Sequence, residues 1–212
     1  MEGFKNHDGK SVLMRMVKVI KENKAYLGEV DGLIGDGDHG MNMAKGFTLF
    51  EKRFSESDIS FTDGLFELGG ILLNEIGGSM GPIYGTIFMD MSEAAEDKDI
   101  IELGDFAVML QAGLDGLCEI VEAKVGDKTL VDTLSPSVDT LNQAAASNTD
   151  FQTALKNMKA AADKGRDSTK DMVAKFGRSS RLGERSRGVL DAGAASCCLI
   201  LNAMADGIDK LL

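Results

Sequence analysis

Apolar residues in this chain recur almost throughout at the spacing of helix faces. Val12, Leu13, Met16, Val17 and Ile20 fall at i, i+1, i+4, i+5 and i+8, which puts them on one side of an α-helix. Ile101, Phe106, Met109, Leu110 and Leu114 form a second such face. Phe151, Leu155, Met158 and Ala162 form a third, behind a cap at Thr149 or Asp150. The strict alternation of half-buried strands is scarce. The pattern predicts helices near 10–27, 39–54, 63–76, 83–95, 100–124, 128–146, 150–175 and 190–211. Pro82 lies where a helix would start, its favoured place. Pro136 falls inside the sixth helix and is expected to kink or split it, because proline lacks an N–H and clashes with the preceding turn.

Composition sharpens this into a fold class. Twelve methionines and many alanines suit packing between helices, and 212 residues suffice for one sizeable core. With no linker, low-complexity tract or fixed-period repeat, residues 1–212 read as a single all-α domain. The net charge of −11 argues against nucleic acid or an anionic membrane as general partner. Cys118, Cys197 and Cys198 are an odd set with an adjacent pair, so they form no disulfide framework and fit a reducing cytosol. The polar stretch Met1–Lys10 lacks a signal-peptide core and no apolar run approaches a membrane span, so a soluble, cytoplasmic protein is expected.

The chemistry concentrates between Asp31 and Asn42, where Asp31, Asp36 and Asp38 alternate with Gly35, Gly37 and Gly40 and are followed by His39, one of two histidines. Carboxylates spaced in this way on a glycine-rich turn can converge hard oxygen ligands on one point, as Mg²⁺ or Ca²⁺ requires. Gly35-x-Gly37-x-x-Gly40 matches the dinucleotide fingerprint in letters only: Asp36 and Asp38 would repel a pyrophosphate, and Lys18–Val30 reads as helix end and loop, not strand. An EF-hand loop from Asp36 fails at Gly40, Met41 and Phe47. An acidic cap on the helix that begins near Asp38 would explain one aspartate and leave the other two unexplained. Zinc is disfavoured, with no C-x2-C pair and only His7 and His39.

Three further turns fall at predicted helix ends. Gly77-Gly78-Ser79-Met80-Gly81-Pro82 would expose backbone N–H groups and a hydroxyl before a helix, an anion cradle. In Gly126-Asp127-Lys128-Thr129, Asp127 reads as a helix cap and Lys128 as pointing to solvent. Between Gly177 and Gly188 lie Arg178, Arg181, Arg185 and Arg187, a cationic loop whose guanidinium forks suit phosphate oxygens. There is no Walker A sequence, no H-R-D with a later D-F-G, and no G-x-S-x-G elbow. A triple carboxylate, helix-end glycines and an arginine loop together are the parts of Mg-nucleotide phosphoryl transfer.

Ile34-Gly-Asp36-Gly-Asp38-His39-Gly-Met-Asn42, Gly77-Gly-Ser-Met-Gly-Pro-Ile-Tyr-Gly85, Gly126-Asp-Lys-Thr129, Leu182-Gly-Glu-Arg-Ser186 and Asp191-Ala-Gly193 resemble, in the same order, the DhaL family. These are the nucleotide-binding subunits of dihydroxyacetone kinase. The resemblance implies an all-α barrel of eight antiparallel helices with ADP or ATP at one rim, held through two Mg²⁺ ions. It implies Asp31, Asp36 and Asp38 as metal ligands and, with Arg178, as the catalytic group. It places His39, Asn42 and Ser79 beside the phosphates and counts Gly40, Met41, Gly78 and Met80 among the residues that bind the nucleotide. Val121, Thr129 and Leu130 would line the nucleotide pocket, and Arg178, Asp191, Ala192 and Gly193 would close it. Met80, Leu130, Ala192 and the run Val121–Val125 depart from the usual residues of that family, which touches the pocket and not the metals.

The activity this implies is transfer of the terminal phosphoryl of Mg-ATP to dihydroxyacetone held by a separate DhaK-like subunit. A DhaM-like phosphohistidine protein would recharge retained ADP, and a homodimer is allowed. Neither His7 nor His39 suits covalent capture of the sugar, so the acceptor must come in trans. Alternatives are an ATP-dependent kinase subunit for a related keto sugar such as a tetrulose, and a non-catalytic nucleotide-sensing module. The DhaL-like domain of fatty-acid kinases fits less well, since Gly35 and His39 depart from its loop.

Overall fold

The computed structural model describes residues 3–212. Nine α-helices dominate: α1 Lys10–Glu22, α2 Lys24–Ile34, α3 His39–Phe54, α4 Phe61–Glu75, α5 Met80–Glu93, α6 Leu103–Ile120, α7 Val131–Ala146, α8 Phe151–Ser168 and α9 Ala192–Ile208. From α3 to α9 each helix packs on the next, and α1 packs on both α3 and α9. Eight helices therefore close a ring, and α2 leans on α3 and α9. The architecture is the all-α bundle that the periodicity predicts.

The core is where the stripes meet. Val12, Leu13, Met16, Val17 and Ile20 are all buried, as are Phe106, Met109, Leu110 and Leu114 opposite them in the ring. Phe47 meets Phe88 edge to face, with ring centroids 6.4 Å apart, joining α3 to α5. Each such side chain contributes roughly 1.5–3 kcal/mol by leaving water.

Several boundaries differ from the expectation, each for a local reason. The first predicted helix breaks at Asn23, whose side-chain amide donates to the Val19 carbonyl at 2.8 Å, and α2 then runs on to Ile34. Asp31 thus sits in the last turn of a helix, not in a loop. The helix expected from residue 100 begins at Leu103, because Ile100–Glu102 (β2) pairs antiparallel with Gly3–Lys5 (β1). Three-residue strands carry no alternation to read. The expected polar N-terminal stretch is not all solvated: Met1 and Glu2 lie outside the described residues, but Phe4 is buried against Phe61 and Asn6 bonds Thr62 through both ends of its amide. Pro136 neither splits nor ends α7. The carbonyl of Asp132, which has no proline N–H to accept, lies against Gly165 of α8, where any Cβ would come within 2.2 Å of it.

Candidate functional site

At one end of the ring, helix ends and loops enclose a cavity of about 660 Å³, the size of a small-molecule site. Its acidic wall is built by α2, the turn 35–38 and the start of α3. One carboxylate oxygen from each of Asp31, Asp36 and Asp38 lies within 4.8 Å of the others. Two glycines permit this. A Cβ at Gly35 would lie 2.3 Å from Oδ1 of Asp31, and Gly37 adopts a left-handed φ of 77°. Asp38 occupies the N-cap position of α3 but makes no capping hydrogen bond with its side chain, so the carboxylate is left for the cavity. A hard, anionic, all-oxygen donor set of this kind fits Mg²⁺ or Ca²⁺ and not a soft metal.

The facing wall is the N-terminus of α5. Gly78 turns the chain with φ 75°, and Ser79 stands at the N-cap with no side-chain capping bond, so first-turn N–H groups and a hydroxyl point outward. Met80 follows on the same wall. Between the two walls Ile83, Val121, Leu130 and Val131 form an apolar slot, with Thr129 at its edge.

Arg178 reaches across the mouth, its Nη2 3.0 Å from Oδ2 of Asp36. The expectation that four arginines act together is corrected here. Arg187 is held by Glu184 at 3.0 Å and by the Asp171 carbonyl, and of the four only Arg178 lines the cavity. At the floor, Asp191 caps α9 by accepting from the Ala194 N–H at 2.8 Å, with Ala192 and Gly193 beside it. Desolvation there pushes its carboxyl up to about 6.

The reading of Asp127 and Lys128 also reverses. Asp132, not Asp127, caps the turn before α7, accepting from the N–H groups of Thr129 at 2.8 Å and Gly126 at 2.5 Å. Asp127 pairs instead with Lys175 at 2.5 Å. Lys128 is fully buried, with a left-handed φ of 63°, and donates to the carbonyls of Thr169 and Val189. It therefore ties the turn to the segment leading into Asp191, and desolvation holds its pKa below the usual lysine range.

Gly40, Met41 and Asn42 do not line the cavity. Gly40 packs against the α2 backbone at Lys24, and Met41 is exposed on a separate groove with Lys21, Lys24 and Lys45. A helix turns 100° per residue, so of these four only His39 at the head of α3 faces the cavity. Burial pushes the His39 imidazole down to about 4, with Asp31 pulling the other way. Ile83, Tyr84, Lys128 and Phe176 line the cavity without having been singled out. Ile83, Tyr84 and Lys128 sat inside motifs already noted, whereas Phe176 carried no signal beyond hydrophobicity.

Residues 33–206 match the DAK2 domain. The chain belongs to the DAK2-domain family. Among its relatives, an ADP-binding subunit DhaL of a PEP-dependent dihydroxyacetone kinase from Listeria innocua is 37% identical over 186 residues, covering 87% of this chain and 88% of that one. The corresponding DhaL subunit of Escherichia coli is 34% identical over 196 residues, covering 91% and 92%. The native crystal structure of the dihydroxyacetone kinase of C. freundii superposes with a TM-score of 0.72 at 20% identity, covering 96% of this chain and 35% of that one. That likeness shows the fold alone.

Proposed function

We propose that this chain is the nucleotide-carrying subunit of a PEP-dependent dihydroxyacetone kinase, passing the terminal phosphoryl of Mg-bound ATP to dihydroxyacetone held by a separate DhaK-like subunit. The observation that carries this is the convergence of three carboxylates within 4.8 Å, opposite a free helix N-terminus and beside an apolar slot. Acidic side chains face a polyphosphate only through cations, so the aspartates and their ions are one unit.

Asp31, Asp36 and Asp38 would hold two Mg²⁺ ions, which when bound supply the positive charge that neutralises a polyphosphate and its developing negative charge. The first-turn N–H groups of α5 and the Ser79 hydroxyl donate to phosphate oxygens from the other side. Arg178, exposed at the mouth, is placed to offset charge on the group being transferred. The slot of Ile83, Val121 and Leu130 orients the base and excludes water from it. Neither histidine is suited to hold the sugar: Nε2 of His39 is engaged by Ser196 at 2.8 Å, and His7 stands outside the cavity beside Asp58. The acceptor is therefore presented in trans, and a phosphohistidine protein of the DhaM kind recharges ADP in place.

We read residues 1–212 as one DhaL-like domain acting in the cytoplasm. A single continuous core and the absence of any helix among the described residues long and apolar enough to cross a membrane support that reading. Mass spectrometry of small molecules released from the purified protein should find ADP together with magnesium. Reconstitution with a DhaK-like subunit and a phosphohistidine donor should phosphorylate dihydroxyacetone. A protein that binds nucleotide but sustains no transfer with any such partner would be a sensor, not a kinase subunit.

A further inference from the structure

Behind the cavity wall runs a buried chain of hydrogen bonds that none of the roles above uses. The hydroxyl of Tyr84 on α5 lies 2.6 Å from Oγ of Ser196 on α9, and that Oγ lies 2.8 Å from Nε2 of His39 at the head of α3. The Gly193 carbonyl lies farther away, 3.2 Å from the tyrosine hydroxyl and 3.1 Å from Ser196. All three side chains are at least nine-tenths buried, and Ser196 is wholly so. The chain thus joins the metal loop to the N-terminal regions of α5 and α9.

The distances say which contacts are filled. Hydroxyl donors sit about 2.7–2.8 Å from their acceptors, so the 2.6 and 2.8 Å contacts are the filled ones and the approaches to Gly193 are secondary. The direction follows the tautomer of His39: where Nε2 carries no proton, Ser196 spends its single proton on it and Tyr84 donates to Ser196; where Nε2–H donates, the chain runs from His39 through Ser196 to Tyr84 and the Gly193 carbonyl. In the first direction Nε2 accepts and carries no proton, so the neutral imidazole bears its proton on Nδ1. Among the described residues Nδ1 has no protein partner, yet it is not one of the sealed, unpartnered polar atoms, and His39 lines the cavity. In that tautomer Nδ1–H is left to donate to a ligand.

We propose that Tyr84 and Ser196 are positioning residues that hold His39 in the Nδ1–H form, making the ring a neutral donor toward the phosphates of a bound nucleotide. This rests on the nucleotide reading above. The opposite tautomer would aim a lone pair at an anion. Asp31, whose carboxylate accepts from the His39 backbone N–H at 3.3 Å, makes such a lone pair still less suited to a phosphate.

The chain has two histidines, so long-range ¹H–¹⁵N correlation spectra resolve each ring's tautomer, with exposed His7 as the internal reference. Nucleotide-free wild type at neutral pH should show His39 mainly as Nδ1–H. Tyr84→Phe, which deletes one oxygen, and Ser196→Ala should move it toward Nε2–H and speed ADP release by about tenfold, the loss of one hydrogen bond to a charged group. Ser196→Thr, which keeps the hydroxyl, should retain the wild-type tautomer. If Ser196→Ala fails to fold, Tyr84→Phe carries the test. An Nε2–H ring in wild type, or an unchanged ring in Tyr84→Phe, overturns the relay. A wild type that binds no Mg-ADP refutes the nucleotide reading, whereas one that binds it with an Nε2–H ring refutes the relay alone.

Discussion

Gly35→Ala should damage the metal site without removing any ligand. Gly35 closes α2 with a negative φ of −123°, so no left-handed penalty enters. The added Cβ would lie 2.3 Å from Oδ1 of Asp31 and 2.9 Å from its carbonyl oxygen, both on the residue that leads the carboxylate cluster. Ordinary contact begins near 3.4 Å, so the carboxylate must retreat by about 1 Å, several times the roughly 0.2 Å within which metal–ligand distances hold. Affinity for a divalent ion should fall by at least about tenfold, or about 1.4 kcal/mol. Electron paramagnetic titration with Mn²⁺ and calorimetry with Mg²⁺ and ADP would measure the loss. Gly70→Ala is the control, since nothing lies within 4 Å of a Cβ there. It should bind metal normally and gain about 0.5–1 kcal/mol of stability from helix propensity. A Gly35→Ala protein that binds Mn²⁺ like the wild type would refute the packing argument and the assignment of Asp31 to the site.

Asp36→Ala and Asp38→Ala should abolish ADP retention through gel filtration while circular dichroism stays helical, because both lie on a turn outside the core. Their melting temperatures should match that of wild type stripped of nucleotide, since a ligand that binds only the folded state stabilises it by mass action. For His39, a pKa lowered to about 4 means the unfolded chain takes up the proton first. The neutral ring's contribution is complete above about pH 6.5 and is lost as pH falls toward 4, by up to about 3 kcal/mol. His39→Gln should flatten that part of the stability profile in urea titrations, and an unchanged slope would contradict the burial argument. Lys128→Met leaves the carbonyls of Thr169 and Val189 without their donor. It should destabilise the protein by about 2 kcal/mol and raise hydrogen exchange across residues 169–191 first, whereas a uniform rise would show that Lys128 does not act as the tie.

The heptad-like stripes were legible in sequence because a helix face is a local property: Val12 to Ile20 and Phe151 to Ala162 declare theirs at fixed spacing, and both are buried as expected. The three aspartates were legible for a similar reason, since all of them fall within eight residues and glycines allow them to turn inward. The sequence by itself therefore determined the helical class, the place of the carboxylate cluster and the family. Tertiary packing decided what depends on distant partners. Lys128 looked like a solvated residue, and only the carbonyls of Thr169 and Val189, 41 and 61 residues away, take it inside. The β1–β2 pairing depends on segments about a hundred residues apart, too short to mark themselves. Likewise the meeting of Tyr84, Ser196 and His39 appears only when three helices converge, because hydrogen-bond geometry is set by where backbones pack and not by spacing along the chain.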